Sequence, residues 1–282
     1  MIKQSPFSIY DFLGYIIPGA TLIYSYIIIE KINTDHFENI EKTLKEFDNI
    51  NAEGIFIFII CSYIVGHLLS FLSSLTIEKY SNLKYNYPSK YLLELGERSN
   101  YFKKISFKKE SVFKDLKTNF WRLVIGILLM PVYIIDLVFN VKKNYTKSLD
   151  PFLISQIIIK IERLLVKLKI ETFDFDLQKH DFHRIILHHS FERNTGHQFK
   201  MINYVALYGF LRNISLTSII LFWVYTYSGV KSFDFNNPID TKILTIIFIL
   251  GFISFVSFVA FVKFYRRYTL EGLMLTLIDG EI

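Results

Sequence analysis

Four long runs of the sequence contain no Asp, Glu, Lys or Arg. They are Phe12–Ile29, Gly54–Ile77, Ile214–Val230 and Ile243–Val262, of 18, 24, 17 and 20 residues. An α-helix needs roughly 20 apolar residues to cross the hydrocarbon of a bilayer. The runs lack the period-two alternation of barrel strands, and backbone in lipid must satisfy its own hydrogen bonds. The sequence therefore predicts an all-α membrane protein with four transmembrane helices.

The distribution of charge predicts how these helices are oriented. Between Glu30 and Glu53 there are seven acids and three lysines, whereas from Glu78 to Lys117 there are ten Lys or Arg against five acids. Short loops rich in Lys and Arg stay in the cytoplasm. We therefore expect the first loop outside the cell membrane, the middle block inside, and both termini in the cytoplasm.

These expectations divide the chain into four regions. Transmembrane helices 1 and 2 occupy residues 1–77, with an outer loop at 30–53. A largely helical cytoplasmic domain follows at 78–204. Transmembrane helices 3 and 4 occupy 205–264, and a cytoplasmic tail occupies 265–282. The protein would then be a multi-pass protein of the cell membrane.

A fifth apolar run, 123–135, is too short for an ordinary span and contains Pro131. Runs of this length are more often interfacial, re-entrant or buried. We interpret 120–141 as an interfacial or re-entrant helix of the cytoplasmic domain, with a genuine fifth span as the alternative. Further along, Asp150 and Pro151 resemble a helix start, an N-cap followed by proline. Two more helices are predicted, at about 181–189 and from Gln198 into the third span.

Within the second run, four small residues recur at intervals of four: Ser62, Gly66, Ser70 and Ser74. Side chains four apart share a helix face, and small residues let membrane helices approach closely. This seam is either an intramolecular packing face or a subunit interface or pore-lining seam. Both interpretations stay open from the sequence.

Polar groups at the ends of the runs are a second candidate site, formed by Asp11, His67, Arg212 and Asn213. Ionisable groups near lipid are costly and usually face protein or water. An Asp11–Arg212 pair near His67 would fix helix register, or would act as a gate or proton-sensitive latch, since histidine titrates near neutral pH. Pro18 removes one backbone hydrogen bond from the first helix.

Five histidines cluster late in the middle block: His180, His183, His188, His189 and His197. This cluster raises the alternative of a membrane-bound metal-dependent enzyme using residues between His180 and His197. The spacing matches no metal-binding pattern, and no nucleotide-binding or nucleophile motif is present. We therefore predict no catalytic residue, no metal site and no cofactor.

Four lysines of the middle block alternate with aromatic residues: Lys103, Lys104, Lys108 and Lys109. Such a segment beside a membrane favours contact with anionic lipid headgroups. It would also suit a nucleotide or oligonucleotide ligand on the cytoplasmic side. A third hypothesis follows, in which the protein is a non-conducting anchor or sensor that recruits a soluble partner or nucleic acid.

Three segments, Tyr10–Gly19, Tyr63–Ser70 and Tyr208–Asn213, resemble a group of bacterial multi-span membrane proteins often found near antiphage defence genes. The resemblance implies a membrane effector, and it contains the same four polar residues. Four spans are few for one subunit to enclose a pore, so we expect a homo-oligomer, with a tetramer favoured. The leading hypothesis is a ligand-gated ion channel or pore in antiphage defence.

Overall fold

The computed structural model of the protein describes residues 11–34, 51–96, 101–102, 109–170, 176–231 and 241–280. Within these ranges the regular structure is helical, and no strand is present. Two π-helical turns, Phe12–Ile16 and Ser74–Glu78, and a 3₁₀ turn at Thr195–His197 interrupt or precede α-helices. The α-helices are α1 Ile17–Thr34, α2 Ala52–Ser73, α3 Lys79–Tyr85, α4 Pro88–Leu92, α5 Lys109–Leu128, α6 Met130–Phe139, α7 Val141–Tyr145, α8 Pro151–Lys167, α9 His183–Arg193, α10 Gln198–Lys231 and α11 Thr241–Ile278.

Three helical segments are long and apolar enough to cross a membrane: Ala52–Leu92, Thr195–Lys231 and Thr241–Ile278. The first predicted span forms a shorter apolar helix, Phe12–Ile28. The prediction of an all-helical membrane protein is therefore confirmed, and the chain is a multi-pass membrane protein. By length and composition three crossings are supported among the described residues, or up to four if a bent helix pair counts as one.

That bent pair lies where the sequence predicted one interfacial or re-entrant helix. Two helical segments, Asp115–Leu128 and Met130–Phe139, meet at an angle of 88°. Pro131 explains the break, because it cannot donate a hydrogen bond to the preceding turn. The carbonyl oxygen of Leu128, at the end of α5, accepts instead from the indole nitrogen of Trp223 at 2.8 Å. A side chain of α10 thus caps the broken helix.

The chain divides into two compact units, which interleave along the sequence. Unit 1 comprises residues 1–78, 128–135 and 209–258, and unit 2 comprises residues 79–127, 136–208 and 259–282. Unit 1 contains most of the apolar helical sequence, including the tip of the bent pair. The tip at 128–135 was predicted as part of the middle domain, and it packs instead with the apolar helices.

Within unit 1, α1 packs on α2 at very short range through two glycines. A Cβ on Gly19 would overlap the backbone of Ser62, and a Cβ on Gly66 would overlap the backbone of Tyr15. Ser62 is itself fully buried. At Ser62 and Gly66 the predicted seam is therefore an intramolecular packing face.

The seam does not continue along strict intervals of four. The buried residues of α2 are Ser62, Gly66, Leu69 and Ser73, whereas the hydroxyl of Ser74 donates to Phe71 in its own helix at 2.7 Å. A helix turns about 100° per residue, so each step of four drifts by about 40°. After three steps Ser74 has rotated off the interface and Ser73 has taken its place.

Unit 2 has an aliphatic core built from α4, α8 and α9 together with the end of α11. Its fully buried members include Leu92, Ile157, Ile161, Ile186 and Leu273. The predicted helix start at Asp150 is confirmed, because its carboxylate accepts from the amide of Phe152 at 2.9 Å. The predicted helices near 181–189 and from Gln198 are also confirmed, as α9 and α10.

Candidate functional site

The candidate site in unit 1 is the Arg212 cluster, in which two consecutive polar residues of α10 meet the ends of the first two apolar helices. Its members are Arg212, Asn213, Ser70, Ser73, Glu78 and the carbonyl group of Gly14. Arg212 is 9% exposed and Asn213 is 1% exposed. A guanidinium group and an amide buried among apolar helices require hydrogen-bond partners, because an unpaired polar group is costly there.

Arg212 binds residues of the second apolar helix and of the π-helical turn that follows it. Its Nε donates to the hydroxyl of Ser73 at 2.9 Å, and Nη2 reaches the carbonyl and hydroxyl oxygens of Ser70, each at 3.3 Å. Its Nη1 forms an ion pair with the carboxylate of Glu78. The sequence had suggested Asp11 as the acid that pairs with Arg212; the structure pairs it with Glu78.

Asn213 connects the same serine to the first apolar helix. The hydroxyl of Ser73 donates to Oδ1 of Asn213 at 2.5 Å, while Nδ2 donates to the carbonyl oxygen of Gly14 at 2.7 Å. In an α-helix Gly14 would receive its hydrogen bond from residue 18, which is a proline without an N–H. Pro18 cannot supply that donor, and Nδ2 of Asn213 supplies one.

Both π-helical turns lie at this cluster. The turn Phe12–Ile16 contains Gly14, and the turn Ser74–Glu78 ends at Glu78. The hydroxyls of Ser74 and Thr76 donate back to carbonyl oxygens one turn earlier, at 2.7 and 2.8 Å. Such bonds compete with the backbone ladder and loosen a helix. Single π-helical turns inside α-helices are frequent at functional sites.

His67 lies on the neighbouring surface of α2 rather than among the contacts of Arg212. Its ring stacks on Tyr15 with centroids 3.8 Å apart, and Tyr63 meets it edge-on at 4.4 Å. His67 is exposed, and it contacts the first helix one residue from Gly14. Asp11 precedes the first π-helical turn without capping it through its side chain.

The Arg212 cluster ties three helical segments together. An ion pair removed from water gains little stability relative to an apolar pair, and its best-attested use is to fix register or to form a switch. The Glu78 side chain is 27% exposed, so one side of the pair is open to its surroundings. The arrangement is suited to a contact that breaks and re-forms.

A second buried polar group, the Asp136 cluster, lies in unit 2 and was missed from the sequence. Its members are Asp136, Tyr80, Lys84, Tyr85 and the amide of Val141. Oδ2 of Asp136 accepts from Tyr80 at 3.2 Å and Tyr85 at 2.5 Å and pairs with Lys84, while Oδ1 accepts from Val141 at 3.2 Å. Asp136 ended the short apolar run, so its position was visible, but its partners, more than 50 residues earlier, were not.

The histidine cluster is divided among separate contacts in unit 2. His189 bonds Asp279 at 3.0 Å, and His197 bonds Glu271 at 3.0 Å. Neither ring nitrogen of His183 has a hydrogen-bond partner, and burial lowers its pKa to about 4 although the charge of Asp181 opposes this shift. Among the described residues no three His, Cys, Asp or Glu side chains form a group that could hold a metal ion. No contact therefore supports the metal-enzyme alternative.

The predicted basic contact falls largely outside the described residues. Lys103, Lys104 and Lys108 lie outside them, and Lys109 begins α5 with a side chain that the structure does not describe.

Comparisons of the chain with family models, curated proteins and solved structures gave no match. The resemblance to bacterial multi-span proteins therefore stays a prediction, and the functional argument depends on the geometry.

Proposed function

We propose that this protein is a homo-oligomeric membrane effector that conducts ions, and that the Arg212 cluster holds its apolar helices in the closed arrangement. One observation carries the proposal. Consecutive residues of α10, Arg212 and Asn213, bind groups that two different helices present at π-helical turns. Breaking these few contacts would remove the polar connections of α10 to both of the first two apolar helices at once.

The chemistry of the cluster favours a switch over permanent packing. Apolar side chains would join the helices at least as firmly, since burying a guanidinium and a carboxylate costs several kcal/mol in desolvation. Two helical packings that differ by only a few such contacts can interconvert when a ligand binds one of them better. A ligand that binds the open packing would thereby open the pore.

The proposed topology has four crossings, with Phe12–Ile28 as the first and both termini in the cytoplasm. A helix of 17 residues extends about 26 Å, close to the hydrocarbon thickness of about 30 Å. Epitope tags placed near Lys147, in the connection between α7 and α8, and near Lys179 test the orientation, because both should be reached only from the cytoplasmic side. Tags reached only from outside the cell would refute it.

The role in defence and the oligomeric state extend this proposal through the resemblance of the three segments. A pore enclosed by several subunits suits a chain with few spans, and a tetramer is the first state to test. The expected consequence of opening in a cell is loss of the membrane potential.

Ion flux from liposomes containing the purified protein tests conduction. We compare the wild-type protein with Arg212→Gln and with a matched control, Arg267→Gln, which changes an exposed arginine that lies over the ring of Phe264. Arg212→Gln should raise flux above that of the wild type, and Arg267→Gln should not. If folded Arg212→Gln protein leaks no more than protein-free liposomes, the proposed closed-state contact is wrong.

A further inference from the structure

Helix α5 is amphipathic in the reverse sense to a helix on a water-soluble domain. Its exposed face carries a stripe of large apolar side chains at alternating intervals of three and four. The members of this stripe are 48–78% exposed: Phe113, Leu116, Phe120, Leu123 and Ile127. Residues at these intervals share one face of a helix, so the stripe is continuous over about four turns.

The opposite face of α5 carries polar groups toward the protein. Asp115 is 2% exposed, and Thr118 and Asn119 are half-buried. Arg122 donates to the carbonyl oxygen of Tyr101 at 2.7 Å, and the hydroxyl of Tyr101 donates to the carbonyl oxygen of Arg122 at 2.7 Å. A helix in contact with water buries its apolar face and exposes its polar face. In α5 the apolar face is exposed and the polar face is buried, which indicates that the exposed face contacts an apolar environment.

We infer that the stripe of α5 lies against the acyl chains of the bilayer, just below the lipid headgroups. This extends the lipid-facing surface to Phe113, ten residues before the apolar run that the sequence indicated. The inference concerns lipid contact alone and does not depend on whether the protein conducts ions. It applies to α5 whether the bent pair is re-entrant or crosses the membrane.

Two neighbouring features favour lipid over a second copy of the chain. Trp121 and Lys117 are both exposed beside the stripe. Tryptophan is enriched at the membrane interface, and lysine extends its amine from apolar surface to the headgroups, whereas lysine is depleted in interfaces between proteins. Beyond the bend, α6 continues the exposed apolar surface through Leu137, Val138 and Phe139.

The tip of the bent pair supplies the continuity with the membrane. Residues 128–135 belong to the same compact unit as the apolar helices, and Trp223 of α10 binds the last carbonyl of α5. The segment that ends α5 is thus fixed to a helix long enough to cross the bilayer. The last residue of α5 therefore belongs to a segment that packs with the apolar helices.

Fluorescence quenching in liposomes tests this inference on the whole chain. The only cysteine is Cys61, so a Cys61→Ser background accepts single cysteines at Leu116, Phe120 and Leu123, each labelled with an environment-sensitive fluorophore. The matched control is Ser155→Cys, at an exposed position of α8. Brominated lipids should quench the three α5 labels severalfold more strongly than the control label, and aqueous iodide should quench the control label preferentially.

A measurement without labels guards against disturbed folding. The chain has two tryptophans, so the quenching lost in Trp121→Phe reports on Trp121 alone. Brominated lipids should quench that component. Quenching of Trp121 and of the α5 labels by iodide alone would overturn the inference. Absence of quenching by both agents, together with disulfide formation between copies at Phe120→Cys, would assign the stripe to a subunit interface and would also overturn it.

Discussion

The Arg212 cluster and the Asp136 cluster both bury a charged side chain, but their geometry differs. Arg212 and Asn213 connect α10 to two helical segments that lie more than 130 residues earlier in the sequence, and the ion pair ends at the partly exposed side chain of Glu78. The side chain of Asp136 is 1% exposed, and its carboxylate binds Tyr80, Lys84 and Tyr85 on α3 and the amide of Val141. The first arrangement suits a contact that opens, and the second suits a permanent anchor.

The largest effect is expected where the anchor is removed. Asp136→Ala leaves the Lys84 ammonium and two tyrosine hydroxyls without their shared acceptor, and should lower the free energy of unfolding by about 3–5 kcal/mol. Lys84→Met should cost less, because both tyrosines still donate to Asp136. Thermal unfolding in detergent measures the difference. Equal costs for the two variants would contradict the description of Asp136 as the centre of the cluster.

The buried His183 of unit 2 should make the protein sensitive to acid. The pKa of His183 is about 4 in the folded protein and 6.5 in the unfolded chain. Between these pH values the unfolded chain binds a proton at His183 more tightly than the folded protein does, so acid favours unfolding. Stability should be complete above pH 6.5 and be lost as the pH falls toward 4, by roughly 2 kcal/mol between pH 7 and pH 5. Unfolding as a function of pH measures this loss.

His183→Leu should reduce this loss, and the exposed His188→Leu should leave it unchanged. An identical pH dependence in both variants would show that His183 is not the responsible group. Because His183 lies in unit 2 and Arg212 lies in unit 1, the acid sensitivity would also distinguish the stability of unit 2 from that of the Arg212 cluster.

An intermediate effect is expected at the glycine contact between α1 and α2. Gly66→Ala places a methyl group against the backbone of Tyr15 and should destabilise the protein by about 2 kcal/mol. In the matched variant Gly209→Ala nothing lies within 4 Å of the new methyl group, so stability should stay level or rise by up to about 1 kcal/mol. Thermal unfolding of the two variants measures the contrast. A Gly66→Ala protein as stable as Gly209→Ala would rule out the close approach.

The smallest effect distinguishes the role of Pro18. Asn213→Leu removes the donor to the carbonyl oxygen of Gly14. The loss of this hydrogen bond alone should lower the free energy of unfolding by about 1 kcal/mol, in addition to the effect of losing the other contacts of Asn213. In a Pro18→Ala background the restored N–H can donate to Gly14, so that part of the cost should disappear. A double-mutant cycle measured by unfolding gives this coupling directly. Coupling near zero would mean that Pro18 and Asn213 act independently.

Part of this site was predictable because charged and small residues are conspicuous in apolar sequence. Arg212, Asn213 and the small face of α2 were identified in this way. Glu78 was not, because it stood at the boundary where the apolar run ended and resembled an ordinary flanking charge. Glu78 approaches Arg212 at the end of a π-helical turn, and the hydrogen bonds from the Ser74 and Thr76 hydroxyls to the backbone at this turn are not evident from the sequence.

Other features depended on tertiary contacts that no local pattern encodes. Pro131 indicated a break in the helix but not its angle of 88°. Trp223, which caps the broken helix, lies more than 90 positions later in the sequence. The reversed face of α5 was obscured for a different reason. Its apolar stripe continues through a stretch with lysines and an aspartate, so the apolar run stood out only from residue 123 and the side-chain exposure revealed the rest of the stripe.

Ion flux from liposomes containing Glu78→Gln or Tyr85→Phe tests the central distinction most directly. Each variant removes one partner of a buried charge, Arg212 in the first and Asp136 in the second. The account predicts that Glu78→Gln raises flux severalfold over the wild type, while Tyr85→Phe lowers the unfolding temperature and leaves flux unchanged. Equal flux in both variants, at wild-type level or raised together, would contradict the assignment of Arg212 to the closed-state contact and Asp136 to the anchor.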